Sequence, residues 1–444
     1  MNLLKGIKSR LTDLARTDFI QNALLLLGGS FIAQLVSMGS APVITRLFTP
    51  ENLGVFALFN AIANIINGVS SLCYERAIVL PKKNDEAINL LSLTFLILFG
   101  VCLAIFPVLF VIESRLEGAL SIDIHPSWVW LLPLAVLFMG LSRNFVFWRI
   151  RNKHFKAIST SKMLQAALAA VVKIIFGFVI GSFAGGLIAG FMIGILASTV
   201  FLLFKPEALR VKDYRELVSR DKMKELAQRY KKFPFFATWN SLMTLMSLSI
   251  IVFMFTIFFD AAVVGFYSLC NKFLGRPVSL VSESVQNAYF QKAAENLSSG
   301  ADLKRNLKRI TLGLMAIGFL PFLFLTFFGE SLFGLVFGQD WTTAGQYVQV
   351  MTPWYFIIFI RSPSNVIYEV CEKQNIRLGF NIVLTVSRFL ALLVGYNLSK
   401  DPKFSIMIFV IVSVVINACI ILYSFVIVHS WHVLKSPSRS DQKS

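Results

Sequence analysis

The sequence predicts an all-α membrane protein of about twelve transmembrane helices, set as two six-helix lobes in a parallel pseudo-repeat around a central cationic cavity. Three observations predict it. Of 444 residues, 56% are hydrophobic and 15% charged, against the ~25% charged of an ordinary soluble domain. Uncharged runs such as 183–204 (FAGGLIAGFMIGILASTVFLLF) reach the ~20 apolar residues that cross a bilayer core. The basic residues cluster in segments between such runs, on alternate sides. The composition excludes intrinsic disorder. Twelve spans leave room for short loops and one linker, but not for a sizeable soluble catalytic domain.

Residues 1–18 are basic and amphipathic, with Leu3, Leu4, Ile7, Leu11 and Leu14 set against Lys5, Lys8, Arg10 and Arg16. They predict an interfacial N-terminal helix rather than a cleaved signal peptide. The N-lobe, 19–204, holds spans at about 20–43, 54–80, 88–112, 128–149, 157–180 and 183–204. A charged linker, 205–233, alternates bases with Leu209, Val211, Tyr214, Leu217, Val218 and Leu226, the pattern of a helix lying on the inner membrane surface. The C-lobe, 234–430, holds spans at about 234–258, 261–289, 310–329, 346–370, 378–397 and 404–430. A tail, 431–444, closes the chain.

Alternating the loops between the two sides places nearly every loop base on one side. Only Arg46, Arg115, Lys400 and Lys403 fall on the other. The positive-inside rule then orients the chain with both termini in the cytoplasm of a plasma membrane. The net charge of +18 is thereby explained without nucleic acid, which would call for bases gathered on one soluble face.

An internal repeat supports the two lobes. LFTPENLGVFALFN (47–60) aligns with FFDAAVVGFYSLCN (258–271), matching Phe48 with Phe259, Gly54 with Gly265, Leu58 with Leu269 and Asn60 with Asn271. Both segments join the first and second spans of their half. Parallel six-helix repeats are an architecture of membrane transporters, with the substrate path between them.

Seven bases lie inside expected spans: Arg143, Lys162, Lys173, Lys272, Arg276, Arg361 and Arg388. A base at the bilayer centre costs ~2.5–3.5 kcal/mol on insertion scales, so each needs a reason. Lys162 sits one turn into its span and can snorkel to the surface, and Arg143 can be read the same way. For the others a structural ion pair competes, but acids are few. Glu283 is the one carboxylate well inside a span, with Glu75 and Glu369 nearer the inner ends. At ~100° per residue, Lys272, Arg276 and Glu283 share a helix face. Lys173, Lys272, Arg276, Arg361 and Arg388, with Arg143, are therefore the candidate anion-binding bases of a water-filled cavity. Guanidinium groups bind phosphate bidentately. Pro42, Pro107, Pro133, Pro277, Pro321 and Pro363 each predict a missing helix hydrogen bond and a kink.

Catalytic motifs are absent. There is no GxxxxGK[ST] loop for nucleotide and no HExxH for zinc. Cys73, Cys102, Cys270, Cys371 and Cys419 are widely spaced, as packed thiols are, and predict neither a disulfide framework nor a metal. No enzyme activity, cofactor or metal is expected. Without a nucleotide site, driving force has to come from an H+ or Na+ gradient or from downstream consumption. Glu283 is the ion-coupling candidate.

Several stretches carry a family likeness: TRLFTPENLGVFALFNAI (45–62), YERAIVLPKKNDEAINL (74–90), RNKHFKAIS (151–159), YKKFPFF (230–236) and FGQDWTTAGQYVQVMTPWYFIIFIRSPSNVIYEV (337–370). In these the chain resembles the polysaccharide biosynthesis flippases of the multidrug/oligosaccharidyl-lipid/polysaccharide exporter superfamily. The resemblance implies a two-lobed, alternating-access flippase of the bacterial inner membrane. Its substrate would be an undecaprenyl-pyrophosphate-linked O-antigen or capsule repeat unit, in lipopolysaccharide or polysaccharide biosynthesis. Polysaccharide polymerase and chain-length proteins are the implied partners, beside the lipid bilayer. A drug or cation exporter of the same superfamily and a flippase for the peptidoglycan lipid precursor are the alternatives.

Overall fold

The computed structural model of the chain describes residues 18–119, 126–204, 217–299 and 303–435. Residues 1–17 of the expected interfacial helix, 205–216 of the linker and 436–444 of the tail lie outside them. Every regular element among the described residues is helical. Two compact units emerge, residues 1–265 and 266–444.

The first unit contains α1 (Asp18–Gly39), α2 (Ala41–Leu47), α3 (Pro50–Val69), a 3-10 turn (Tyr74–Val79), α4 (Asn84–Ala119), α5 (Leu132–Arg151), α6 (Phe155–Val179), α7 (Ala184–Phe204), α8 (Arg220–Arg229) and α9 (Thr238–Phe258). It ends within α10 (Ala261–Cys270). The second unit holds α11 (Arg276–Ser299), α12 (Leu303–Phe337), α13 (Thr342–Val370), α14 (Gln374–Ser399) and α15 (Pro402–Lys435). The described part of the expected linker, 217–233, belongs to the first unit.

All twelve expected spans fall on these helices. Eight helices are long and apolar enough to cross a membrane among the described residues. The other four expected spans fall on α1, α5, α10 with α11, and α13. The last three carry Arg143, Lys272, Arg276, Glu283 and Arg361, which lower their apolarity. In α7, Gly190 and Gly194 repeat at four-residue spacing against α6. A Cβ at Gly194 would stand 2.7 Å from the Gln165 carbonyl oxygen. Small residues at this spacing let two membrane helices approach closely where no hydrophobic force drives them together.

Five of the six prolines expected to kink helices divide into two groups, and Pro277 is the second residue of α11. Pro42 and Pro133 occupy the first turn of α2 and α5, where the absent N–H has no helical partner to lose. The kinks expected at those two positions are therefore helix starts. Pro107, Pro321 and Pro363 lie inside helices. Pro363 cannot donate to the Phe359 carbonyl one turn back. The Ser362 hydroxyl donates to it instead, at 2.6 Å.

The linker helix α8 docks on the first unit. Leu226 is buried beside Tyr74 and Trp148. Lys222 pairs with Asp85 at 2.9 Å and Arg229 with Glu86 at 3.2 Å. The Asn89 amide donates to the Leu217 carbonyl, and its oxygen accepts from the Ser219 N–H.

The repeat read from sequence has a structural counterpart. Phe48 and Phe259 are both extended residues that end a helix. Thr49 Oγ1 accepts from the Asn52 N–H, and Asp260 Oδ1 accepts from the Val263 N–H. The two caps are equivalent in the alignment although their residue types differ; both belong to the side chains that satisfy orphan donors at helix starts.

Candidate functional site

The first unit holds Arg143 and Lys173. Arg143 Nε lies 3.4 Å from Glu75 Oε1, and its Nη2 donates to the Ser70 hydroxyl at 3.3 Å. The Glu75 carboxylate is almost fully buried, while Arg143 is partly exposed. Glu75 reaches this position because Leu72 and Cys73 turn the chain through left-handed conformations, φ 49 and 57. Two adjacent non-glycine residues there cost of order 1–3 kcal/mol each. Arg143 is thus an ion-paired base, and Glu75 is the acid that sequence placed only near an inner end. Lys173, on α6, holds its ammonium 4.3 Å from the centre of the Phe56 ring.

The second unit holds Lys272, Arg276, Glu283, Arg361 and Arg388. Arg361 and Arg388 belong to one network. Arg361 Nη1 donates to Asn417 Oδ1 at 2.7 Å, and Asn417 Nδ2 donates to the Ser413 carbonyl at 2.6 Å. Arg388 Nε donates to the Ser413 hydroxyl at 2.9 Å. The Arg388 guanidinium also lies 5.0 Å from the Trp354 ring and 5.2 Å from Phe409. These two rings meet edge to face at 4.9 Å. Among the described residues no carboxylate pairs with either arginine. Two guanidinium groups are thereby fixed by neutral acceptors and aromatic faces, with their charge left uncompensated. Such a pair attracts anions.

Ser413 and Asn417 were missed by a reading that counted only charges. Their signal was present. Ser413, Asn417 and Ser424 recur at four and seven residues in a mostly apolar helix, the spacing of one face. All three are fully buried.

Lys272 lies in a π-helical turn, Asn271–Gly275, which runs directly into α11. The turn is held from α13 by the Tyr355 hydroxyl, which donates to Asn271 Oδ1 at 2.8 Å. A π turn takes more residues than an α turn, so constant 100° steps do not carry through it. Lys272 is thereby offset from the face expected for Lys272, Arg276 and Glu283, whereas Arg276 and Glu283 both lie in α11 beyond the turn. In the structure Arg276 is exposed and Glu283 lines a cavity that neither base reaches.

That cavity, about 230 Å³, lies between α11 and α13. Gly275, Val278, Ser279, Ser282, Glu283 and Gln286 form one wall, and Tyr355, Ile358, Arg361, Ser362 and Asn365 form the other. Arg361 is its one base. Lys272, Arg276 and Arg388 stand outside its lining.

Residues 43–346 match the family described as polysaccharide biosynthesis protein. No curated protein matches the chain. An inward-facing multidrug resistance MATE family transporter of the MOP superfamily shares the fold at TM-score 0.68, with 14% identity over 94% of this chain and 100% of that one. The lipid II flippase MurJ in its inward closed conformation does so at 0.68, with 12% identity over 93% and 91%. The Vibrio cholerae MATE transporter VcmN in its bent form scores 0.51, with 15% identity over 95% and 98%. At these identities the likeness concerns the fold. The family match spans more than half of the sequence, and on that ground the chain belongs to the polysaccharide biosynthesis protein family.

Proposed function

We propose that this protein is a flippase that carries polyprenyl-pyrophosphate-linked oligosaccharide repeat units, of O-antigen or capsule, across the bacterial inner membrane by alternating access. The observation that carries the reading is the Arg361–Arg388 pair, held by Asn417, Ser413 and Trp354 with no acid in contact among the described residues. A pyrophosphate is the kind of ligand that an uncompensated guanidinium pair recognises. Lys272 and Arg276 in the second unit, and Lys173 and Arg143 in the first, are the further bases proposed to bind the anionic substrate. Family membership supports the link to polysaccharide synthesis. A drug or cation exporter would need carboxylates to hold its cargo, and the cavity described above offers Glu283 alone.

In this reading both termini face the cytoplasm, and an H+ or Na+ gradient drives transport through Glu283. The test is deletion of the gene followed by analysis of lipid-linked glycans. A polyprenyl-pyrophosphate oligosaccharide accumulating on the cytoplasmic leaflet is the expected result. Accumulation of the peptidoglycan lipid precursor instead would assign the chain to that substrate, and absence of any accumulating lipid would end the flippase reading. In proteoliposomes, transport stimulated by an imposed pH gradient should lose that stimulation in Glu283→Gln and keep it in Glu283→Asp.

A further inference from the structure

The cavity between α11 and α13 is chemically unlike the arginine pair. It has one guanidinium, Arg361, and one carboxylate, Glu283, so its formal charge balances. The rest of its polar lining is neutral: the hydroxyls of Ser279, Ser282, Ser362 and Tyr355, and the carboxamides of Gln286 and Asn365. A doubly charged phosphate gains more from the side where Arg361 meets Arg388 than from this wall, where Glu283 opposes it.

Several of these groups lack partners. Ser282 is 7% exposed, yet its hydroxyl makes no hydrogen bond, and the buried Nε of Arg361 makes none either. Asn365 and Glu283 have no side-chain hydrogen bond or ion pair among the described residues. Of these, the Ser282 hydroxyl and Arg361 Nε are buried, and each unpaired buried polar group calls for an explanation; Asn365 is partly exposed and Glu283 exposed, so both are open to a ligand.

A ligand that repays them must offer donors and acceptors in a compact ring-sized body. At about 230 Å³ the space is below the ~300 Å³ at which pockets for drug-sized molecules begin. Vicinal hydroxyls meet these requirements: they donate to Glu283 and to the carboxamide oxygens, and accept from Arg361 Nε, Asn365 and Ser282. We infer that this cavity is a glycan subsite that seats one sugar ring of the transported lipid, adjoining at Arg361 the arginines proposed to hold its pyrophosphate. The inference rests on the flippase reading above and assigns the part of the substrate that this cavity reads.

The experiment uses the full-length protein in nanodiscs and two ligands. One is bare undecaprenyl pyrophosphate. The other is the lipid-linked glycan extracted from the source strain after deletion of the gene. Affinities are measured by titration calorimetry for the wild type, Ser282→Ala and Asn365→Ala. The wild type should bind the glycosylated lipid at least about tenfold more tightly than the bare one. Each substitution should lower that ratio about three- to tenfold, the worth of one or two net hydrogen bonds. Ser282→Ala should also leave the ligand-free melting temperature undiminished, since it removes a hydroxyl with no partner. No preference in the wild type, or a ratio that survives both substitutions, would overturn the subsite and leave the flippase reading standing. A loss that weakens both ligands equally would mark Ser282 and Asn365 as structural and also overturn it. Failure of the wild type to bind either lipid would overturn both readings.

Discussion

Gly54 and Gly265 lie back to back in a reciprocal crossing. A Cβ on Gly54 would stand 1.8 Å from the Ala261 carbonyl oxygen, and one on Gly265 would stand 1.9 Å from the Pro50 carbonyl oxygen. Pro50 and Ala261 are themselves equivalent in the internal repeat, so the two contacts are one contact seen twice. The starts of α3 and α10 therefore cross about a local pseudo-two-fold.

Substitution at this crossing should be costly. Alanine gains ~0.8–1 kcal/mol of helix propensity over glycine. Overpacking costs ~1–3 kcal/mol, and here the obstacle is backbone that cannot rotate away. Gly54→Ala and Gly265→Ala should each lower the melting temperature of the purified protein. Because the two sites share one crossing, the double variant should lose less than the sum. Additive losses in a thermal-shift series would contradict the reciprocal geometry.

Arg388→Lys should not behave as a conservative change. The guanidinium donates to Ser413 while stacking near Trp354, and an ammonium on a flexible stem does not reproduce both. A loss of about 1–2 kcal/mol in stability is expected, from the cation–π and hydrogen-bond contributions. Trp354→Leu should show a similar loss, and the two together less than their sum. A double-mutant cycle with no coupling would refute the contact.

For Arg143 and Glu75 the expectation is asymmetric. Glu75→Leu alone strands a partly buried guanidinium, and Arg143→Leu alone strands a buried carboxylate. Breaking a buried pair costs ~3–5 kcal/mol, and the partial exposure of Arg143 places Glu75→Leu at or below the low end. Replacing both with leucine should recover most of the yield of folded protein. If the double variant folds but does not transport, Arg143 also contacts substrate.

Docking of α8 should depend on Leu226 more than on the ion pairs beside it. Truncating a buried leucine costs ~2–5 kcal/mol, whereas exposed pairs such as Lys222–Asp85 contribute ~0–1. Leu226→Ala should therefore expose 217–232 to limited proteolysis, and Lys222→Ala or Arg229→Ala should change it little. Raised salt should have a small effect for the same reason.

Much of this was legible in the sequence. The spans were readable because membrane helices must be long and apolar. The repeat was readable at Phe48, Gly54 and their counterparts, although the equivalence of Thr49 and Asp260 was not, since a cap is conserved in role and not in residue. Arg361 and Arg388 were singled out as bases without an acid, and among the described residues no carboxylate pairs with either. Their actual partners, Asn417, Ser413 and Trp354, were invisible to a count of charges because neutral groups carry the contact. The relation of Lys272 to Arg276 and Glu283 was out of reach for a different reason. Angular arithmetic assumes an unbroken α-helix, and no residue type announces the π turn that holds Lys272, whereas Arg276 and Glu283 both lie beyond it in α11.

That turn gives the candidate site a tolerance to chain length that the helix after it lacks. A π turn closes with one more residue than an α turn, so removing one residue from Asn271–Gly275 would restore a regular turn and leave the helix beyond it nearly in place. Ser282, Glu283 and Gln286 would stay at the cavity, whereas the same deletion just after Arg276 would rotate them away by ~100°. Among related chains, a one-residue deletion within the turn would therefore preserve the lining, and one just beyond it would change the lining with every residue type retained.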